Sequence, residues 1–515
     1  MTNKRVLKSI AQGAGITFIA FICTYILAFF YRILVARSLG PNDYGTLMLA
    51  VAVLGFGRSI SLIGLHSGVK RYIGFYLGTK EAARVKGTII SSLKLVMPFS
   101  IIISGILFIS AEWIALNIFH SHALVPILRI FTLIIPLNAL VELLKAIFLS
   151  FNNTVYPSVL GVIGEKFLTL IFSVIAIAIG SNLYGISVAY MAAYLITVAI
   201  GFVILETKVY SIIRNKIVPK YRYNELLLFS LPLFLTGIFT LALSWGDTFL
   251  LGIFMNEKIV GIYNVAFPLS YSLLMIPKSL DAVYYPISAT LFAQKKIKQL
   301  SDTFNTMARW VFALMWPLFL IMIFFSQQII FTLFGQEYVT GWKVLIIVSV
   351  GIFIYSIVGP VETMLQTFNK TRFIFIMYSS IVIINVLMNL YLIPILGMEG
   401  AAISTSFLWS AVGIIEMIRV RKLLPIRYEL KYYAKYVISG MIALLAVFAL
   451  GKMISNISGI VLLIICGLLF GILYLGLLIL MGAFAKEDLM IMSAIERRLG
   501  LDLTFIKRII RRFQG

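Results

Sequence analysis

Apolar residues fill near-continuous runs along the chain, separated by short polar turns, and the runs have helical rather than strand length. Fourteen are long enough to span a bilayer, near 14–36, 45–66, 88–110, 124–150, 155–180, 183–205, 225–252, 259–285, 308–330, 342–367, 373–394, 398–420, 434–454 and 458–482. Each covers the ~20 residues a helix needs to cross ~30 Å of hydrocarbon. The pattern predicts an all-α integral membrane protein of about fourteen transmembrane helices and excludes a β-barrel.

The second half of the chain repeats the first at an offset of 215 to 217 residues. Phe151-Asn152-Asn153-Thr154 returns as Phe368-Asn369-Lys370-Thr371, and Tyr184-Gly185-Ile186-Ser187 as Glu399-Gly400-Ala401-Ala402. Asp43-Tyr44-Gly45 returns as Ile259-Val260-Gly261. Segments one to six match seven to twelve, and six helices per half give both halves one orientation, so the repeats are parallel. The expected organisation is an N-lobe (1–206), a cytoplasmic linker (207–224), a C-lobe (225–420), two further helices (421–482) and a basic tail (483–515). A duplicated membrane bundle points to a transporter, because two similar halves can rock about a site held between them.

Composition agrees: 61% of residues are hydrophobic and 12% charged, with mean hydropathy +1.03, against about 25% charged in soluble domains. In a soluble protein the net charge of +23 would suggest nucleic acid. Here basic residues alternate between loops as membrane orientation requires, so no nucleic-acid partner is expected. With the N-terminus inside, cytoplasmic loops hold Lys70, Arg71, Lys80, Arg84 and Lys86, later Lys208, Arg214, Lys216, Lys220 and Arg222, and later Arg419, Arg421 and Lys422. External turns hold little beyond Arg37, Lys258, Lys343 and Lys452. Both termini are therefore expected in the cytoplasm of a plasma-membrane protein. Lys4, Arg5 and Lys8 precede a first helix with no cleavage site after it, so the helix reads as retained. The tail alternates apolar residues with Arg497, Arg498, Lys507, Arg508, Arg511 and Arg512. It suits either a helix lying on an anionic leaflet or a solvated basic tail.

Extramembrane segments are too short for a catalytic domain, which needs about 50 residues or more. There is no Gly-x-x-x-x-Gly-Lys phosphate loop and no His-Glu-x-x-His motif. His66, His120 and His122 lack metal-site spacing, and Cys23 and Cys466 sit singly in apolar runs. No metal and no cofactor is expected.

The ionisable residues within the spans narrow the chemistry. Arg32, Arg58, Lys145 and Lys166 lie in the first half with Glu142 and Glu165; Asp247, Lys278, Asp281 and Glu362 lie in the second. A charge at the bilayer centre costs about 2.5–3.5 kcal/mol, so each needs a partner or a wet cavity. Glu142 with Lys145, and Lys278 with Asp281, are spaced i, i+3 and share a helix face. Arg32 is near the outer end of its helix, where snorkelling competes with lining a cavity. Arg58 is about 19 Å into its segment by helical rise, with no acid at i±3 or i±4. Lys166 is comparably deep but follows Glu165. Basic residues in a dry site attract phosphate or carboxylate, which points to an anionic substrate. Asp247, Asp281 and Glu362 are candidates for proton or sodium coupling, with structural pairing as the alternative. Asn385 and Asn389, and Glu362 and Gln366, share faces at i, i+4, as helix glue or as sugar contacts.

The turn Ala36-Arg37-Ser38-Leu39-Gly40-Pro41-Asn42-Asp43-Tyr44-Gly45 resembles the opening signature of the polysaccharide-biosynthesis (Wzx-like) flippases, within the multidrug/oligosaccharidyl-lipid/polysaccharide exporter superfamily. The stretch from Asp247 through Gly252 to Val260-Gly261-Ile262-Tyr263 is also similar, and the likeness covers essentially the whole chain. The resemblance implies two six-helix lobes forming a V around a central cavity, with alternating access. It implies a polyprenyl-linked oligosaccharide substrate, moved from the cytoplasmic to the outer leaflet while its lipid tail stays among membrane lipids, and other polysaccharide-assembly proteins as partners. It carries Arg32 and Arg58 over as pyrophosphate contacts, and Arg37, Gly40, Asp43 and Gly45 as a gating turn. The peptidoglycan-precursor flippases differ in that turn: their Arg-Phe-Gly-Ala pattern is Ser-Leu-Gly-Pro here. Two other readings compete. Multidrug and toxin exporters typically bury acids where this half is basic, and a membrane glycosyltransferase or polymerase would want acids in substantial external loops.

Overall fold

The computed structural model describes residues 3–453 and 459–485; the basic tail, from Lys486 on, lies outside the described residues. Among the described residues, thirteen helices are long and apolar enough to cross a membrane, and the protein is a multi-pass membrane protein. The first of them, Ile19–Leu62, is 44 residues long, about twice what one crossing needs. It belongs to helix α1 (Asn3–Leu62), which Gly40 breaks with φ 72° and ψ 171° just ahead of Pro41. Proline disfavours a helical residue before it, and glycine tolerates the resulting backbone. One helix thus supplies the first two of the fourteen expected crossings.

The helices pack as two compact units, Met1–Asn264 and Val265–Gly515. In the first, α1 is followed by α2 (Leu65–Gly78), α3 (Ala82–Ile109), α4 (Leu124–Ser150), α5 (Val155–Ala178), α6 (Leu183–Val209) and α7 (Tyr223–Phe254). Helix α4 is the centre of this unit, packed by α1, α2, α3 and α6. Helix α7, which opens the second sequence repeat, packs against α1 and α2. Small residues allow that approach: a Cβ on Gly64 would lie 2.4 Å from the Ser230 carbonyl oxygen. Packing and sequence repetition therefore partition the chain differently.

The second unit takes in the end of α8 (Glu257–Tyr271), then α9 (Met275–Ala293), α10 (Ile297–Phe324), α11 (Ser326–Phe334), α12 (Trp342–Ile357) and α13 (Val361–Thr367). It continues with α14 (Thr371–Leu396), α15 (Met398–Arg421), α16 (Leu430–Met453) and α17 (Gly459–Leu480). Tyr284, Leu300, Phe304, Ala308, Val361 and Met364 form the heart of a core joining α9, α10 and α13.

The duplication is written into the backbone. Left-handed residues recur in pairs: Lys80 and Lys295 (φ 58° and 57°), His120 and Gly335, Asn152 and Asn369 (57° and 58°), and Gly180 and Gly397. The first two pairs are 215 residues apart and the last two 217, matching the sequence offsets. Asn152 and Asn369 stand after helices α4 and α13, where asparagine tolerates the left-handed conformation that ends a helix.

The segment between α6 and α7 is not helical over Tyr210–Arg222, and it is held at both ends. The Glu206 carboxylate accepts from the backbone N–H of Ile212 at 2.7 Å, and the Lys220 N–H donates to the Ala83 carbonyl at 2.9 Å.

Candidate functional site

Three helices of the first unit bring their charges together. Helix α1 contributes Arg32 before its kink and Arg58 after it, and α4 contributes Asn138, Glu142 and Lys145, spaced four and three so that they form one stripe. Helix α5 contributes Glu165 and Lys166 from a nine-residue π-helical stretch, Leu160–Leu168. Such i→i+5 turns are rare and concentrate at functional sites.

Lys145 Nζ lies 2.9 Å from both Glu142 Oε1 and Glu165 Oε1, and Arg58 Nη1 lies 3.6 Å from Glu142 Oε1. The i, i+3 pair expected from sequence forms, and Glu165 joins it from α5. Arg58, without an acid on its own helix, finds Glu142 across the helix interface. Arg32 donates to the Tyr44 hydroxyl. Among the described residues no carboxylate lies within 4.0 Å of Arg32 or Lys166. Four cations against two carboxylates leave two positive charges in excess.

Four of these six groups, Arg32, Arg58, Glu165 and Lys166, line a cavity of 240 Å³ with Asn138 and Trp245, and Tyr31, Tyr44, Tyr190 and Tyr194 form its aromatic wall. A second cavity of 400 Å³ shares Arg58 and Trp245, is bordered by Glu142 and His66, and carries the hydroxyls of Ser59, Ser67, Thr240 and Ser244. Lys145 lines neither; it borders a third cavity on the far side of Glu142. Its ammonium bridges two carboxylates that would otherwise repel one another. Lys145→Met should therefore cost on the order of 3 kcal/mol by leaving Glu165 without a cation and Glu142 with only the more distant Arg58. Thermal unfolding in detergent, compared with an Ala substitution at exposed Lys216, checks this.

The other sequence candidates are placed as follows. Arg37 is exposed at the α1 bend, Asp43 is half-buried, and Gly45 is buried. A Cβ on Gly45 would sit 1.7 Å from the Glu257 carbonyl oxygen, and one on Gly261 would sit 2.1 Å from the Pro41 oxygen. The signature turn and its repeated counterpart thus meet backbone to backbone. Asp247 is buried and accepts from the Tyr263 hydroxyl at 2.5 Å. Lys278 belongs to the second unit and is exposed, and the ion pair with Asp281 suggested by spacing does not form. Its ammonium lies over the Tyr271 ring at 5.3 Å, while Asp281 bonds Thr363. Glu362 accepts from Tyr355, Tyr378 and Gln366 at 3.4, 3.2 and 3.1 Å. Asn385 donates to Ser404 at 3.0 Å and accepts from Asn389 at 3.4 Å, which is helix glue.

Sequence reasoning missed Asn138, Trp245 and the tyrosine wall. Asn138 was detectable as the start of the Asn-Glu-Lys stripe; the aromatics carry no signal among so many others.

Comparison with known proteins follows the same line. The family model described as "Polysaccharide biosynthesis protein" matches residues 10–292, more than half of the chain, and the MatE model matches 232–391. The chain is 26% identical over 483 residues to an uncharacterized membrane protein, MJ1068, of Methanocaldococcus jannaschii, covering 88% of this chain and 91% of that one. It is 24% identical to the stage V sporulation protein B of Bacillus subtilis (83% and 86% covered). It is 22% identical over 230 residues to the probable low-salt glycan biosynthesis flippase Agl15 of Haloferax volcanii (45% and 48%). Among solved structures, the lipid II flippase MurJ in an inward closed conformation superposes with TM-score 0.69 at 16% identity, covering 94% of this chain and 99% of that one. An inward-facing multidrug resistance MATE transporter gives 0.62 at 14% identity (78% and 94%). These two likenesses establish a shared fold.

Proposed function

Since the chain belongs to the polysaccharide biosynthesis protein family, we propose that it is a flippase that carries a polyprenyl-(pyro)phosphate-linked oligosaccharide across the membrane. The observation that carries this reading is the pair of cations, Arg32 and Lys166, that line the 240 Å³ cavity with no carboxylate of their own. Guanidinium and ammonium groups in a water-poor site bind phosphate oxygens through charge-assisted hydrogen bonds. Arg58, tied to Glu142 at the longer distance of 3.6 Å, would turn from carboxylate to phosphate as the headgroup enters. The lipid tail stays in the bilayer, and the sugars occupy the hydroxyl-lined second cavity that shares Arg58 and Trp245. The excess of basic residues in alternate loops supports cytoplasmic termini, and in this reading transport runs from the cytoplasmic to the outer leaflet by alternating access. The protein is a transporter and not an enzyme.

A second reading, export of organic cations, draws on the MatE match over 232–391. An excess of positive charge in the cavity repels such substrates, and this reading is the weaker one.

The test is reconstitution with a fluorescent polyprenyl-diphosphate sugar. Wild-type protein should move the label between leaflets, and Arg58→Ala should slow it about tenfold, the loss of one charge-assisted contact. Transport of organic cations with no lipid movement would overturn the assignment.

A further inference from the structure

One acid of the second unit has no place in the cavity just described. Glu416, on α15, has 0% exposure, and neither carboxylate oxygen has a hydrogen-bond partner. Its helix lies hard against α12: a Cβ on Gly413, one turn earlier, would sit 2.8 Å from Tyr355 Cα. The interface has no room for a hydration shell at that level.

The groups around it do not supply a counter-charge. Glu362 on α13 and Asp281 on α9 face it with like charge. Tyr355 on α12 and Tyr378 on α14 are near enough to feel it, yet both hydroxyls donate to Glu362 instead. Lys278 on α9 is directed to the Tyr271 ring, and on Glu416's own helix Arg419 lies over Phe373 and Arg421 over Tyr428. No cation is within 4.0 Å of Glu416 among the described residues. An ionised carboxylate with no donor, no cation and two acidic neighbours is among the least tolerable groups in a membrane protein. Nor, among the described residues, do three acids, histidines or cysteines come together as a metal site.

We propose that Glu416 is a proton-binding site: it carries a proton while α15 is packed on α12 and α13, and releases it when they separate. On release the O–H bond breaks, the carboxylate keeps the electron pair, and the proton passes to water admitted by the separation. Glu362 is different, since its oxygens already accept three hydrogen bonds. Proton binding at this place would tie the packing of the second unit to pH, independently of what the first unit carries.

Infrared difference spectra of the full-length protein in lipid, taken between acidic and alkaline pH, test this. The wild type should show a protonated-carboxyl C=O band that is lost in Glu416→Gln and kept in Glu362→Gln. The amide is a close mimic of the neutral acid, so Glu416→Gln should fold, and its melting temperature should lose the fall with rising pH that the wild type shows. Persistence of the band in Glu416→Gln would overturn the proposal. So would a melting temperature that follows pH as in the wild type, or a band removed by sodium at constant pH, which would make the site a sodium site. None of these readouts depends on the flippase assignment.

Discussion

Replacing Arg32 and Lys166 together with alanine should reduce lipid translocation about a hundredfold or more while leaving the protein folded. Each side chain offers a charge-assisted contact worth about 1.5–3 kcal/mol, and tenfold in an equilibrium corresponds to about 1.4 kcal/mol. The two act from different helices on one cavity and have no carboxylate of their own, so removing both strands no buried acid. This separates them from Lys145, whose loss exposes two glutamates to each other. Arg129→Ala, which removes an exposed pair with Glu112, is the control and should transport as wild type. Initial rates with the diphosphate-linked probe, alongside melting temperatures, give the comparison. Wild-type rates in the double variant would refute a phosphate role for this cavity.

Gly45→Val should be the most damaging single substitution outside the cavity. Its Cβ would occupy the space of the Glu257 carbonyl oxygen, 1.7 Å away, and lie 2.9 Å from the Gly261 nitrogen. Both are backbone atoms of α8, so no rotamer change relieves the clash. Overpacking typically costs 1–3 kcal/mol where side chains give way; against backbone the cost should exceed about 3 kcal/mol. Gly261→Val should behave alike, and the double variant should cost less than the sum, because either change alone already forces the helices apart. Recovery of monodisperse protein after extraction, and its melting temperature, measure this; wild-type values for Gly45→Val would show that the helices slide freely.

How much of this was legible beforehand depends on which force set each feature. Helical crossings were, because bilayer thickness fixes run length and no tertiary contact is needed to read it. The repeat was equally plain, and its mark at Asn152 and Asn369 persists down to φ. The Glu142–Lys145 pair followed from helical spacing, being local to one helix. Partners from other helices were not readable: Glu142 for Arg58, Glu165 for Lys145, and Tyr271 for Lys278 depend on how helices lie side by side. Glu416 escaped notice for a related reason. It stands near Arg419 and Arg421, and in one dimension it looks like a residue of a charged helix end, yet α12 and α13 cover it.

The π-helical stretch around Lys166 makes this site sensitive to length as well as to composition. Such a turn holds one residue more than a regular helix would. Deleting one uncharged residue ahead of Glu165 in Leu160–Leu168 would let ordinary winding return and turn Lys166 by up to about 100° relative to the rest of the helix. Lys166 would then face a neighbouring helix or acyl chains with every amino acid of the charged set still present. Where this ammonium points is a matter of counting along the chain, and relatives that keep the lysine but not the count would have lost the geometry with no change of residue to announce it.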